Sequence, residues 1–178
     1  MMKKLLYIGV GVSGVGKSTW IKNRIAQNGG AYISRDEIRY SMLQPGDNYF
    51  DNEKEVVNTF CAIAQDNIDN GVEKEIYLDA THLSPKSRRK VLSRLNLQNV
   101  EKVILLYFNI PTEIAIQRNA QRTGIACVPE GVITGMAKSL FIDFENKEDN
   151  VDEIWEINEK GEVVNVKDFS NIWPTFGT

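Results

Sequence analysis

One run of residues limits this chain more than any other: Gly11-Val12-Ser13-Gly14-Val15-Gly16-Lys17-Ser18, with Thr19 following. It satisfies G-x-x-x-x-G-K-[ST]. A short apolar segment, Lys4 to Val10, reads as a buried strand before it, and Lys17 to Ala26 carries a helix-like pattern after it. Each part has a physical task. Glycines let backbone N–H groups turn inward around phosphate oxygens without a Cβ in the way, and the helix that begins near Lys17 aims its positive end at them. Lys17 is placed to reach the β- and γ-phosphates, and the Ser18 hydroxyl to ligate Mg²⁺. Ser13, Gly14, Val15, Gly16, Lys17, Ser18 and Thr19 are thus the expected nucleotide-binding residues, with ATP and Mg²⁺ as the ligands.

A second fingerprint overlaps the first. Gly9-Val10-Gly11-Val12-Ser13-Gly14 fits G-x-G-x-x-G, and Asp36 lies at about the distance where a dinucleotide-binding fold places its ribose-binding acid. Gly16-Lys17-Ser18 breaks the tie, because phosphoryl transfer needs those residues and a dinucleotide site does not.

Beyond the glycine turn the pattern alternates. A strand is expected at Ala31 to Ser34 and a helical turn at Asp36 to Leu43, broken by the loop Gln44 to Asn48. Glu53 to Ile68 places Val56, Val57, Phe60, Ile63, Ala64 and Ile68 on one helix face. Glu75 to Leu78 reads as a strand, and Ser84-Pro85 opens a helix with a cap and a proline at its first position. Val103 to Phe108 is the strongest buried-strand signal; helices follow from Pro111 through Gln121 and from Pro129 through about Phe144. Alternation of this kind predicts a three-layer α/β fold on a mostly parallel sheet, with ligands at the carboxyl ends of the strands. Glu153 to Ile157 and Glu162 to Val166, around Asn158-Glu159-Lys160-Gly161, read as a C-terminal β-hairpin that extends the sheet. The acidic Asn146 to Asp152 stretch reads as a surface loop or a mobile connector.

Composition excludes several classes. At 178 residues, 42% hydrophobic and 25% charged, the chain fits one globular domain with a real core. No apolar run approaches the roughly 20 residues of a membrane span, and the N-terminus lacks a signal-peptide pattern, so a cytoplasmic protein without membrane contact is expected. Cys61 and Cys127 form no C-x-x-C pair, and with His82 as the single histidine a multi-histidine metal site is unsupported. The net charge of -3 argues against coating long nucleic acid. It leaves room for gripping one strand end. The basic stretch Lys86-Ser87-Arg88-Arg89-Lys90 with Arg94 would either steer a polyanion or form a solvated helix face.

The acceptor machinery must lie elsewhere. Asp36 follows the second strand, where it either accepts a proton from an attacking hydroxyl or only caps the helix. Arg39, one turn on, would hold the acceptor or neutralise developing charge. Asp79, ending the third strand, would bind Mg²⁺ through water or pair with Arg39. His82 reads as a local packing or hydrogen-bonding residue. Arg118 and Arg122, spaced i, i+4 before Thr123-Gly124, suit a lid over polyphosphate spanning about residues 112–128.

In order, Gly14 to Trp20, Ser34 to Ser41, Leu78 to Pro85 and Arg118 to Arg122 continuing to Val128-Pro129 resemble the 5′-kinase domain of phage-type polynucleotide kinase, a P-loop kinase. The resemblance covers residues 4 to 144. It implies that Asp36 is the general base at a 5′-hydroxyl, that Arg39 is its partner at the acceptor, and that Asp79 orients Arg39. It further implies that Lys17 and Arg122 stabilise the transferring group while Arg118 supports the nucleotide lid. The substrate implied is the 5′-hydroxyl end of DNA or RNA, in a bacterial or phage-infected cell. The phosphatase domain of well-studied members is not expected, since no D-x-D-x-T signature occurs. A kinase of a small metabolite, nucleoside or modified base, and a nucleotide-dependent ATPase or switch, are the competing readings.

Overall fold

A computed structural model describes residues 2–170. Strand β1 (Lys4–Val10) is buried almost throughout, as a central strand covered on both faces must be. Helix α1 (Lys17–Asn28) follows, then β2 (Ala31–Ser34), α2 (Arg35–Met42), α3 (Glu53–Asn70) and β3 (Glu75–Asp79). The chain continues through α4 (Pro85–Leu92), β4 (Val100–Phe108), α5 (Thr112–Ala120), a short 3₁₀ turn (Gly124–Ala126) and α6 (Glu130–Ser139), ending in β5 (Glu153–Ile157) and β6 (Val163–Asp168). The strands form one six-stranded sheet in the order β2-β3-β1-β4-β5-β6. Neighbours from β2 to β5 run parallel, and β6 closes the edge as an antiparallel hairpin on β5. The expected fold class is therefore present, hairpin included.

Alternation along β1 divides the core. Leu6, Ile8 and Val10 face Phe60 and Ile68 of α3 and Val91 and Leu92 of α4, whereas Tyr7 faces Ile21 of α1, Ala115 of α5 and Ile133 of α6. These are the outer two layers. From β1 the chain first moves to one side of the sheet, for β2 and β3, and then to the other for β4. The strand order reverses at the carboxyl end of β1, where open parallel sheets leave a crevice. The glycine turn occupies that position.

Two expectations change, and the structure decides a third in favour of the surface loop. The helix from Pro129 stops at Ser139 instead of reaching Phe144. Leu140, Ile142 and Phe144 all pack on the core at every second residue, which an extended segment allows and a helix does not, and Phe141 N–H bonds to the Leu83 carbonyl at 3.0 Å. The basic stretch is not wholly a solvated face: Lys86, Arg89 and Lys90 are exposed, but Arg88 is fully buried. Its guanidinium donates to both Glu148 oxygens, at 2.8 and 2.9 Å, and to the carbonyls of His82 and Phe141. That pair also pins the 146–152 stretch, where Val151 is buried and Asp152 accepts from Val103 N–H at 2.8 Å, so it is a fixed loop. Among the described residues no helix is long and apolar enough to cross a membrane.

Candidate active site

The phosphate turn is built from backbone. Gly14 and Gly16 have φ of 90° and 92°, a conformation that side-chain-bearing residues rarely adopt. A Cβ on Gly14 would lie 2.3 Å from the Ala115 carbonyl oxygen, so α5 closes on the turn only because nothing projects there. Gly16 is also the N-cap of α1, which leaves the first N–H groups of that helix free for an anion. Lys17 is buried against the turn, its Nζ donating to the carbonyls of Gly11 and Val12 at 3.0 and 3.1 Å. Burial pushes its pKa below the ordinary lysine value, with Asp79 and Asp36 opposing that shift.

Ser18 and Asp79 form the next layer. The Ser18 hydroxyl donates to Asp79 Oδ2 at 2.5 Å, and Tyr32 from β2 donates to the same oxygen. A hydroxyl and a carboxylate side by side make an all-oxygen donor set, which suits Mg²⁺, an ion that takes few protein ligands and keeps water and phosphate oxygens for the rest.

Facing them is a wall of side chains. Ser34 caps α2 by accepting Glu37 N–H at 3.2 Å, so Asp36 is not needed as the cap. Asp36 instead accepts from Arg39 Nη1 and from the Tyr49 hydroxyl, at 2.5 and 2.6 Å, both on Oδ1. Burial first, and then this bond to Asp36, raise the Tyr49 pKa and keep the phenol a donor. Arg39 also donates to the Tyr49 hydroxyl at 2.9 Å and to Glu53 at the start of α3, with contacts of 2.8 to 3.2 Å. Asp79 therefore does not orient Arg39. The sheet holds its carboxylate toward Ser18, and Glu53 comes nearer to Arg39 because α2 and α3 are packed together.

Both walls line one cavity of about 210 Å³, which includes Gly14, Lys17, Ser18, Asp36, Arg39, Glu53 and Arg122. Phe50 stands at its rim, 66% exposed, edge-on to Tyr49 and 5.7 Å from the Arg39 guanidinium. A larger cavity of about 610 Å³ lies on the other side of Gly16, between α1 and the hairpin turn Asn158–Gly161. Val15 and Thr19 line it, together with Arg118, which donates to the carbonyls of Val15 and Glu159 at 2.7 and 3.0 Å. Arg118 and Arg122 thus serve different cavities. Ser13 meets α6 through a 3.6 Å contact from its hydroxyl to Met136 Sδ.

A family model described as an AAA domain, AAA_33, matches residues 6–141. The chain belongs to that family. Solved structures share its fold. A sugar kinase from Janibacter sp. HTCC2649 superposes with a TM-score of 0.59 at 18% identity, over 91% of this chain and 88% of that one. A chain of the Pnkp1/Rnl/Hen1 RNA repair complex gives 0.64 at 22%, over 79% of this chain and 45% of that one. A fungal RNA kinase gives 0.58 at 15%, over 88% and 75%. This AAA_33 member therefore has the P-loop kinase fold, shared by sugar kinases and RNA kinases alike.

Four residues of the site escaped the sequence reading: Tyr32, Tyr49, Phe50 and Glu53. Glu53 was legible only as a helix start, and Tyr49 and Phe50 fall between the expected loop and that helix, in neither. His82 is a packing residue as expected. It is buried, its Nδ1 stands 2.8 Å from the Gly9 carbonyl, and burial with nearby cations pushes its pKa down to about 3.

Proposed function

We propose that this protein transfers the γ-phosphoryl group of ATP to the 5′-hydroxyl end of a DNA or RNA strand. One observation carries the reading: the phosphate turn with Lys17 and the carboxylate of Asp36 line the same cavity. A triphosphate on the turn and a hydroxyl beside Asp36 would then meet between them. The acceptor oxygen forms a bond to the γ-phosphorus while the bond to the bridging β,γ-oxygen breaks, and ADP departs. The hydroxyl proton passes to Asp36, through Oδ2, since the donors from Arg39 and Tyr49 both fall on Oδ1. Lys17 and Arg122 neutralise charge on the transferring group. Ser18, backed by Asp79, is the residue that would hold Mg²⁺, whose chemistry there is to offset charge on the β- and γ-phosphates. The segment around residues 112–128, carrying Arg118 and Arg122, acts as the lid, and the 610 Å³ cavity beside Arg118 takes the nucleoside end of ATP.

The exposed Phe50 favours a nucleic-acid acceptor over a free sugar, because an aromatic face at the rim gives a base a surface to stack on. The charged lining of Asp36, Arg39 and Glu53 supports a second reading, a small acceptor with several hydroxyls. Incubation with γ-labelled ATP and a 5′-hydroxyl oligonucleotide, beside a panel of sugars and nucleosides, tests the proposal. Label at the oligonucleotide 5′ end is expected. Label only on a small alcohol would establish the second reading, and ADP release indifferent to any acceptor would mean an ATPase.

A further inference from the structure

We propose that Tyr32 is a positioning residue for the Ser18–Asp79 pair and thereby sets how strongly Mg²⁺ supports nucleotide binding. The inference rests on the reading of the glycine turn as an Mg²⁺-nucleotide site. Its basis is strand register. On β2 and β3, Tyr32 lies opposite Tyr77 and Ser34 opposite Asp79, in a parallel pairing. Asp79 is therefore two residues ahead of Tyr32 along the sheet, about 7 Å at the rise of a strand. A phenol spans that distance, and its hydroxyl reaches Asp79 Oδ2 at 2.5 Å.

The direction of each hydrogen bond follows from the groups. A carboxylate only accepts, so both Tyr32 and Ser18 donate to Oδ2. With its proton committed to Asp79, the Ser18 hydroxyl turns its lone pairs away from Asp79 and can hold a cation as a neutral ligand. Asp79 can direct Ser18 only if its own carboxylate is held in rotation. Tyr32 supplies that restraint. The ring is itself fixed, half-buried in the core on the α1 face with Lys22 Nζ 5.1 Å from its centroid. Groups placed behind a metal ligand in this way affect metal affinity by about 10- to 100-fold when removed.

Tyr32→Phe keeps the ring and removes only the hydroxyl. Calorimetric titration of ATP, in EDTA and across a series of Mg²⁺ concentrations, is made on wild type, Tyr32→Phe, Asp79→Asn and the double variant. Tyr32→Phe should raise the Mg²⁺ concentration at the midpoint by about tenfold. It should leave ATP affinity in EDTA unchanged and add nothing in the Asp79→Asn background. An unchanged midpoint overturns the proposal. So does an equal loss in EDTA, which would make Tyr32 a support of the fold, or a full effect in the absence of the Asp79 carboxylate. Wild type that binds no ATP in any condition would instead bring down the nucleotide reading itself, and this inference with it.

Discussion

Along the phosphate turn the working groups are backbone amides of one continuous segment, Gly11–Thr19, and the glycine conformations at 14 and 16 hold them in place. Across the cavity the working groups are side chains from three separate elements: Asp36 and Arg39 on α2, Tyr49 and Phe50 on the following loop, and Glu53 on α3. The first wall is a general holder of polyphosphate, since a triphosphate presents the same oxygens whatever the acceptor. The second can be rebuilt one residue at a time without disturbing the sheet. Under the proposed function, acceptor choice falls to α2, the loop and the start of α3, while the glycine turn serves any acceptor.

If the division is real, variants on the two walls must separate binding from transfer. Asp36→Ala should lower transfer by up to about 10⁴-fold while leaving ATP affinity intact. Steady-state turnover beside equilibrium ATP binding decides this, and an equal loss of ATP affinity would move Asp36 to the phosphate wall. Lys17→Ala should cost about 10³-fold in turnover with every acceptor tried. A loss confined to one acceptor would contradict its assignment. Phe50→Ala should raise the KM for an oligonucleotide by about tenfold or more, from stacking worth about 1–3 kcal/mol per base, and leave ATP affinity alone. An unaltered oligonucleotide KM would remove the aromatic rim from acceptor recognition.

The smallest effect concerns the support beneath the phosphate wall. Folding lowers the His82 pKa from 6.5 to about 3, so above pH 6.5 the imidazole is neutral in both states. Below that pH the unfolded chain binds a proton that the folded chain excludes. The native state then loses about 1.4 kcal/mol per pH unit from this group, down to its folded pKa. Urea unfolding between pH 7 and pH 5 should show a shallower acid slope in His82→Gln than in wild type, and identical slopes would mean His82 is protonated in the fold.

The two walls also differ in how much the sequence discloses. The turn is a contiguous word, and its strand and helix context is local, so Lys17 and Ser18 could be placed before any fold was known. The alternation of elements likewise predicts the parallel sheet, and the two short strand patterns around Asn158–Gly161 predict the hairpin. Glu53 could not be found in this way. Its contact with Arg39 arises from the packing of α3 on α2, which no spacing along the chain encodes, whereas the family resemblance implies Asp79 as the partner of Arg39. Arg88 shows the same gap: a charge within a basic run reads as solvated, and only the fold brings Glu148 to it. Phe144 reads as the end of a helix because periodicity over a short apolar stretch does not distinguish a last turn from an extended segment lying on the core.

A crystal structure with a non-hydrolysable ATP analogue, Mg²⁺ and a short 5′-hydroxyl oligonucleotide tests the central claim most directly. The account predicts the β- and γ-phosphates inside the Gly11–Thr19 turn, with the terminal hydroxyl about 3–3.5 Å from the γ-phosphorus and within hydrogen-bond reach of Asp36. Phosphates lodged outside the turn, or a hydroxyl bound far from Asp36, would contradict it.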